Sequence, residues 1–150
     1  MKSLKTALGV LCCAFLLFGC QGTEEIVSDR TVSLQSTDEG PFQYFQIMAY
    51  TDPGFSGAVF LNNVRVYEVA GEGGSTSNNQ AQDLIKNGEN TIVLQVDGVE
   101  DGTDPVVEIG LHAMNESAFP NDENRVIDIE WQASENTVPE TVEYQFQLQR

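Results

Sequence analysis

Four runs in the second half of the chain alternate apolar and polar residues with period two, and this restricts the fold more than any other feature. Ile92, Leu94 and Val96 alternate with Val93, Gln95 and Asp97. Val107, Ile109 and Leu111 alternate with Glu108, Gly110 and His112. Ile127, Ile129 and Trp131 alternate with Asp128, Glu130 and Gln132. Val142, Tyr144, Phe146 and Leu148 alternate with Glu143, Gln145 and Gln147. Successive side chains of a strand point to opposite faces, so each run gives one apolar and one polar face. A sheet built from such runs buries one side and wets the other. The phase places Trp131 in the core with Ile127 and Ile129.

The first half adds strands with sharper turns. Residues 44–50 are apolar at nearly every position and read as a strand buried on both faces. Asp52-Pro53-Gly54 is a turn. Residues 58–67 read as a hairpin around Asn62-Asn63, because Asn tolerates the positive φ of a two-residue type I′ turn. That register sets Leu61 against Val64 and Val59 against Val66. Residues 71–77, rich in Gly and Ser, read as a flexible loop. One helical turn is expected near residues 80–85. With about seven strands, the expectation is an all-β, antiparallel β-sandwich of jelly-roll or immunoglobulin-like type.

The start of the chain has a different character. Lys2 and Lys5 precede an apolar run over residues 7–18. A basic start and an apolar stretch of about 7–15 residues form the pattern of an export signal. The run is short of the roughly 20 residues that span a bilayer. It ends in Leu17-Phe18-Gly19-Cys20, which resembles the lipobox of bacterial lipoproteins. The resemblance implies cleavage before Cys20 and a diacylglycerol thioether on its sulfur, so that Cys20 anchors the mature protein to a lipid bilayer. It implies a place in the bacterial cell envelope. Gln21, where a retention signal would be Asp, implies the outer membrane if the host has one. The organisation expected is a signal over residues 1–19, a lipidated Cys and polar tether over 20–40, in which Ile26-Val27, Val32 and Leu34 could form a first edge strand, and a sandwich over 41–150. Cys12 and Cys13 leave with the signal, so no thiol remains for a disulfide, a metal or a nucleophile.

A second resemblance lies further along. Gly88 and Asn90, in the run Ile85-Lys86-Asn87-Gly88-Glu89-Asn90-Thr91-Ile92, resemble the lead-in to a strand in galactose-binding-like jelly-roll domains. A hairpin like that at Asn62-Asn63 often precedes it there. The likeness covers about residues 58–97, implies a fold class, and carries over no ligand-binding residue. Locally, Gly88 supplies a backbone shape that a side chain opposes. Asn90 can close the turn by bonding nearby backbone.

Charge narrows the partners. The chain has 7 basic and 23 acidic residues, a net charge of −16. Cleavage before Cys20 removes Lys2 and Lys5 and no acid, which takes it to −18. Such a field disfavours nucleic acid and anionic headgroups. Solubility alone explains a charge of this size; calcium or a basic partner is the functional alternative.

Candidate sites are few. Asp97, Glu100, Asp101 and Asp104 lie in one acidic stretch between strands and are candidate calcium ligands, although turns take Asp and Gly for backbone reasons too. Phe55 and Phe119, beside Gly54 and Pro120, are candidate exposed rings for a sugar. His112 is the single histidine, too few for a zinc site. Asp128 and Glu130 lie about 6.5–7 Å apart on one strand face, a spacing that suits glycosidase carboxylates but lacks a dry environment. No cofactor other than calcium is implied and no enzyme is expected. The expectation is an anchored envelope lipoprotein with a non-catalytic β-sandwich for interaction or support, its partner an envelope protein or a glycan. The alternative is a carbohydrate-binding module.

Overall fold

The computed structural model describes residues 26–35, 37 and 39–150. The export signal and Cys20 lie outside these residues. Among the described residues, nine strands form two sheets packed face to face. In chain order they are β1 (Arg30–Ser33), β2 (Tyr44–Thr51), β3 (Phe55–Leu61), β4 (Val64–Ala70), β5 (Gly74–Asn78), β6 (Gly88–Val99), β7 (Val106–Met114), β8 (Arg125–Gln132) and β9 (Glu140–Leu148). The first sheet runs β1-β9-β6-β3-β4 and the second β5-β2-β7-β8. Only β3–β4 and β7–β8 are neighbours in both chain and sheet, so the other connections cross between sheets. All pairs are antiparallel except β1, which lies parallel to β9. The molecule is an all-β sandwich.

The alternating runs bury the expected faces. Ile92, Leu94, Val96, Val107, Ile109, Leu111, Ile127, Ile129, Val142, Phe146 and Leu148 join one core with Phe45, Ile47 and Val59. Trp131 joins the same core from the edge strand β8, 1% exposed. Its ring packs edge-on against Phe55 at 5.8 Å. Its Nε1 donates to Oε1 of buried Glu140 at 2.7 Å, and Arg30 donates to the same oxygen at 3.3 Å. The indole is thus placed by packing and by one charge-assisted bond.

The Asn-Asn turn forms as read: Asn62 and Asn63 have φ of 48° and 67°. The register beyond it differs. Leu61 pairs with Val64, but a bulge between Val59 and Phe60 sets Val59 against Tyr67. The bulge inserts a residue that no alternation in the sequence reveals. Gly88 adopts φ +94°. Buried Asn90 closes the loop before β6: Lys86 N donates to its Oδ1, and its Nδ2 donates to the carbonyls of Lys86 and Gly88. Asn62 Nδ2 donates to the same Oδ1, which ties this loop to the β3–β4 turn. The helical turn forms at Ala81–Leu84.

Two segments read as loop or mainly as tether hold strands. Within residues 71–77, Gly74–Asn78 is β5, the edge beside β2. Its residues are Gly, Ser, Thr and Asn, so it has no apolar alternation to betray it; backbone pairing with β2 holds it. Within residues 20–40, Arg30–Ser33 is β1, and Val32 and Leu34 pack on the core. Ile26 packs against Ala58, Phe60 and Val93 on the outer face of the first sheet. The Arg65 guanidinium sits 5.5 Å from the centre of the Phe60 ring. Ile26, four residues before β1, therefore lies on this outer face.

Candidate binding face

The outer face of the second sheet is open. Strand β2, expected to be buried on both sides, buries Phe45, Ile47, Ala49 and Thr51 and exposes the alternate residues. Tyr44, Met48 and Tyr50 are 39%, 38% and 44% exposed. Tyr and Met are apolar enough to pass as core in a sequence and polar enough at their tips to lie half in water. They form a stripe down the middle of this face.

Register sets their neighbours. Ser77, Met48, Gly110 and Asp128 form one row across the sheet, and Ser75, Tyr50, Glu108 and Glu130 form the next. The first row, with Ser75, Tyr50 and Glu108 of the second, floors a cleft of about 420 Å³ that His112 and Arg125 also line; Glu130 stands outside its lining. Gly110 supplies its depth. A Cβ there would lie 3.2 Å from His112 Nε2 and 3.4 Å from Arg125 Nε, so both side chains lean into the space that glycine leaves.

His112 is buried, not on a wet face as its strand phase suggested. The segment between β7 and β8 covers it. Asn121 and Asn124 cap a 3-10 turn at Asp122–Asn124. His112 Nδ1 lies 3.1 Å from the Asn121 carbonyl and 2.9 Å from Asn124 Oδ1. Asn124 Oδ1 also accepts from Asn121 N, so both neighbours of Nδ1 are acceptors and Nδ1 carries the proton. Nε2 faces the cleft at the notch over Gly110. Arg125 donates to Asp128 at 3.2 Å and to Asp122 at 2.8 Å. The Tyr50 hydroxyl donates to Asp52 at 2.8 Å. Its pKa is raised above the ordinary phenol value, first by that hydrogen bond, then by the Asp52 charge, with smaller contributions from desolvation and Glu108. The phenol therefore stays protonated.

The sequence candidates scatter around this face. Phe119, 91% exposed, stands at the rim of an adjoining cleft of about 390 Å³ lined by Tyr44, Gln46, Gln82 and Met114. Phe55 is a correction. It opens β3 pointing inward, is 1% exposed against Trp131, and offers no ring to a ligand. Asp128 and Glu130 are both exposed, and Asp128 is paired with Arg125, so neither is held dry for acid catalysis. Cleft residues Met48 and Gly110 carried no signal in the sequence, because only cross-strand register brings them beside His112.

Two of the four acids proposed for calcium have local partners. Asp104 accepts from Ser134 N and Gln132 Nε2, both at 2.7 Å, and Asp97 accepts from Gln95 Nε2 at 2.7 Å. Among the described residues, no three acidic, His or Cys side chains are gathered as a metal site. The Asp104 pKa is lowered, chiefly by the Ser134 backbone donor. A lowered carboxylate stabilises the fold above its unfolded-state pKa, and that contribution is lost as pH falls through the folded value. Asp104→Asn should therefore lower the melting temperature at neutral pH. The gap from wild type should close in acid, below the ordinary carboxylate range. A gap that is constant with pH would mean that the charge of Asp104 contributes nothing.

Surface charge leads to a second expectation. Repulsion among the acids opposes compaction, and salt screens it. The melting temperature should rise with sodium chloride from about 0.01 M, where the Debye length is about 30 Å, to about 0.15 M, where it is about 8 Å. A calcium site at Asp97, Glu100, Asp101 and Asp104 would add a rise that magnesium at equal ionic strength does not match. Equal shifts remove calcium; a fall with sodium chloride would mean that ion pairs outweigh repulsion.

No protein-family model, no curated protein and no solved structure matches this chain.

Proposed function

We propose that the mature protein is a lipid-anchored envelope lipoprotein whose β-sandwich is a non-catalytic binding domain, and that the outer face of the second sheet is its binding surface. The observation that carries this is the exposed stripe of Tyr44, Met48 and Tyr50 over a cleft that Gly110 opens. A sandwich needs no exposed aromatic stripe for stability, whereas rings with one wet edge suit recognition.

The path of the N-terminal segment supports the same orientation. Ile26 packs on the outer face of the first sheet. The six residues from Cys20 to Ile26 reach at most about 20 Å. An acylated Cys20 thus holds the first sheet toward the bilayer and leaves the second sheet facing away. The lipobox resemblance of Leu17-Phe18-Gly19-Cys20 supports the anchor, and Gln21 supports the outer membrane.

A carbohydrate ligand is the second reading. Phe119 and Tyr44 beside the neutral amides of Gln46 and Gln82 favour it, since sugar rings stack on flat faces and exchange hydrogen bonds with amides. The experiment is a screen of the purified full chain on glycan and peptide arrays, repeated with Met48→Ser/Tyr50→Ala. Binding that the double substitution abolishes is expected. Binding that it leaves untouched would place the surface elsewhere, and no binding on either array would remove the proposal.

A further inference from the structure

Glu108 on β7 and Glu130 on β8 stand directly opposite each other. Both are exposed, and their Cβ atoms are about 5 Å apart in such a pair. Like charges so placed repel. Neither has an ion-pair partner among the described residues, where the acidic partners are Glu140, Glu68, Asp122 and Asp128. Tyr50 is the next residue in the same row, and Met48 lies above it. Buried His112 places Nε2 at the notch over Gly110. Arg125 is the cation in the cleft, and Asp122 and Asp128 share its guanidinium.

We propose that the edge of this cleft takes the cationic side chain of an Arg- or Lys-bearing segment of a protein partner, with its stem on Met48 and Tyr50 in the cleft and its head at the rim between Glu108 and Glu130. This rests on the reading of the face as a binding surface. A cation between the two carboxylates turns a repulsive pair into a favourable one. Its N–H groups meet the two carboxylates there, and Asp122 and Asp128 hold the Arg125 guanidinium that lines the cleft. The Tyr50 ring adds attraction for a cation over its face. The charge of the whole domain steers a basic segment toward it. A neutral sugar would leave the two carboxylates repelling and partly desolvated.

The probe is a short alternating Arg-Ser peptide, titrated into the purified full chain in zwitterionic detergent at physiological ionic strength. Glu108→Gln/Glu130→Gln should weaken binding by about tenfold or more. Glu100→Gln/Asp101→Asn removes the same charge from the β6–β7 loop and should weaken it by about twofold or less. The first variant loses a repulsion, so it should melt no lower than wild type, which separates weak binding from misfolding. Equal losses in the two variants would reduce the effect to net charge and overturn the proposal. Binding of a neutral glycan through Met48 and Tyr50, without binding of the peptide, would overturn it and leave the binding face standing. A peptide or glycan bound without any response to Tyr50→Ala would overturn both.

Discussion

Replacing Trp131 with Ala is expected to destabilise the domain by about 3–5 kcal/mol, the range for removing a fully buried large aromatic side chain. The loss has two parts. The indole is buried in the core against Phe55, so its removal leaves a cavity between the sheets. Its Nε1 also donates to Glu140, which is 8% exposed and keeps only Arg30 as a charged partner. A buried carboxylate that loses a donor adds to the cost. Trp131→Phe should therefore cost less than Ala and still more than packing alone implies. Urea unfolding, followed by circular dichroism, measures both. A cost below about 1 kcal/mol for the Ala variant would be that of an ordinary surface change and would contradict the core placement.

Cys20→Ser is expected to abolish acyl labelling and membrane retention together, because the thiol is the acceptor of the diacylglycerol group in the proposed processing. Two or three chains anchor stably, as each buried CH₂ contributes about 0.8 kcal/mol. The substitution should leave the fold unchanged, since the ordered sandwich is entered at β1, beyond the lipidated end. Fractionation, acyl labelling and mass spectrometry of the mature N-terminus report on it. An unacylated N-terminus away from Cys20, or full membrane retention of the Ser variant, would sink the lipoprotein assignment.

How much of this was legible in the sequence depended on the type of residue. Strands β6 to β9 could be read because Ile, Leu and Val mark the inner face and acids and amides the outer. The loop before β6 could be read because Gly88 and Asn90 have few other reasons to stand two apart. Strand β5 could not, since Ser, Thr and Gly form an edge strand through backbone bonds alone. Phe55 misled because it follows Asp52-Pro53-Gly54; turn residues mark where the chain bends, not where the next ring points. His112 misled for a different reason. Its strand phase is outward, and a separate segment, folded by Asn121 and Asn124, buries it. The cleft was invisible because it depends on which residues of three strands share a row, and a notch made by glycine shows only once Gly110 has neighbours.

The central claim is that the outer face of the second sheet meets a partner in the envelope while the anchor holds the other sheet toward the membrane. In-cell photo-crosslinking tests it most directly, with a photoreactive residue at Met48 compared with one at Glu68, exposed on β4 of the first sheet. The account predicts a discrete adduct from Met48, lost when Glu108 and Glu130 are changed to Gln, and none from Glu68. Membrane-retained protein that gives no adduct from Met48, or the same adducts from both positions, would contradict it.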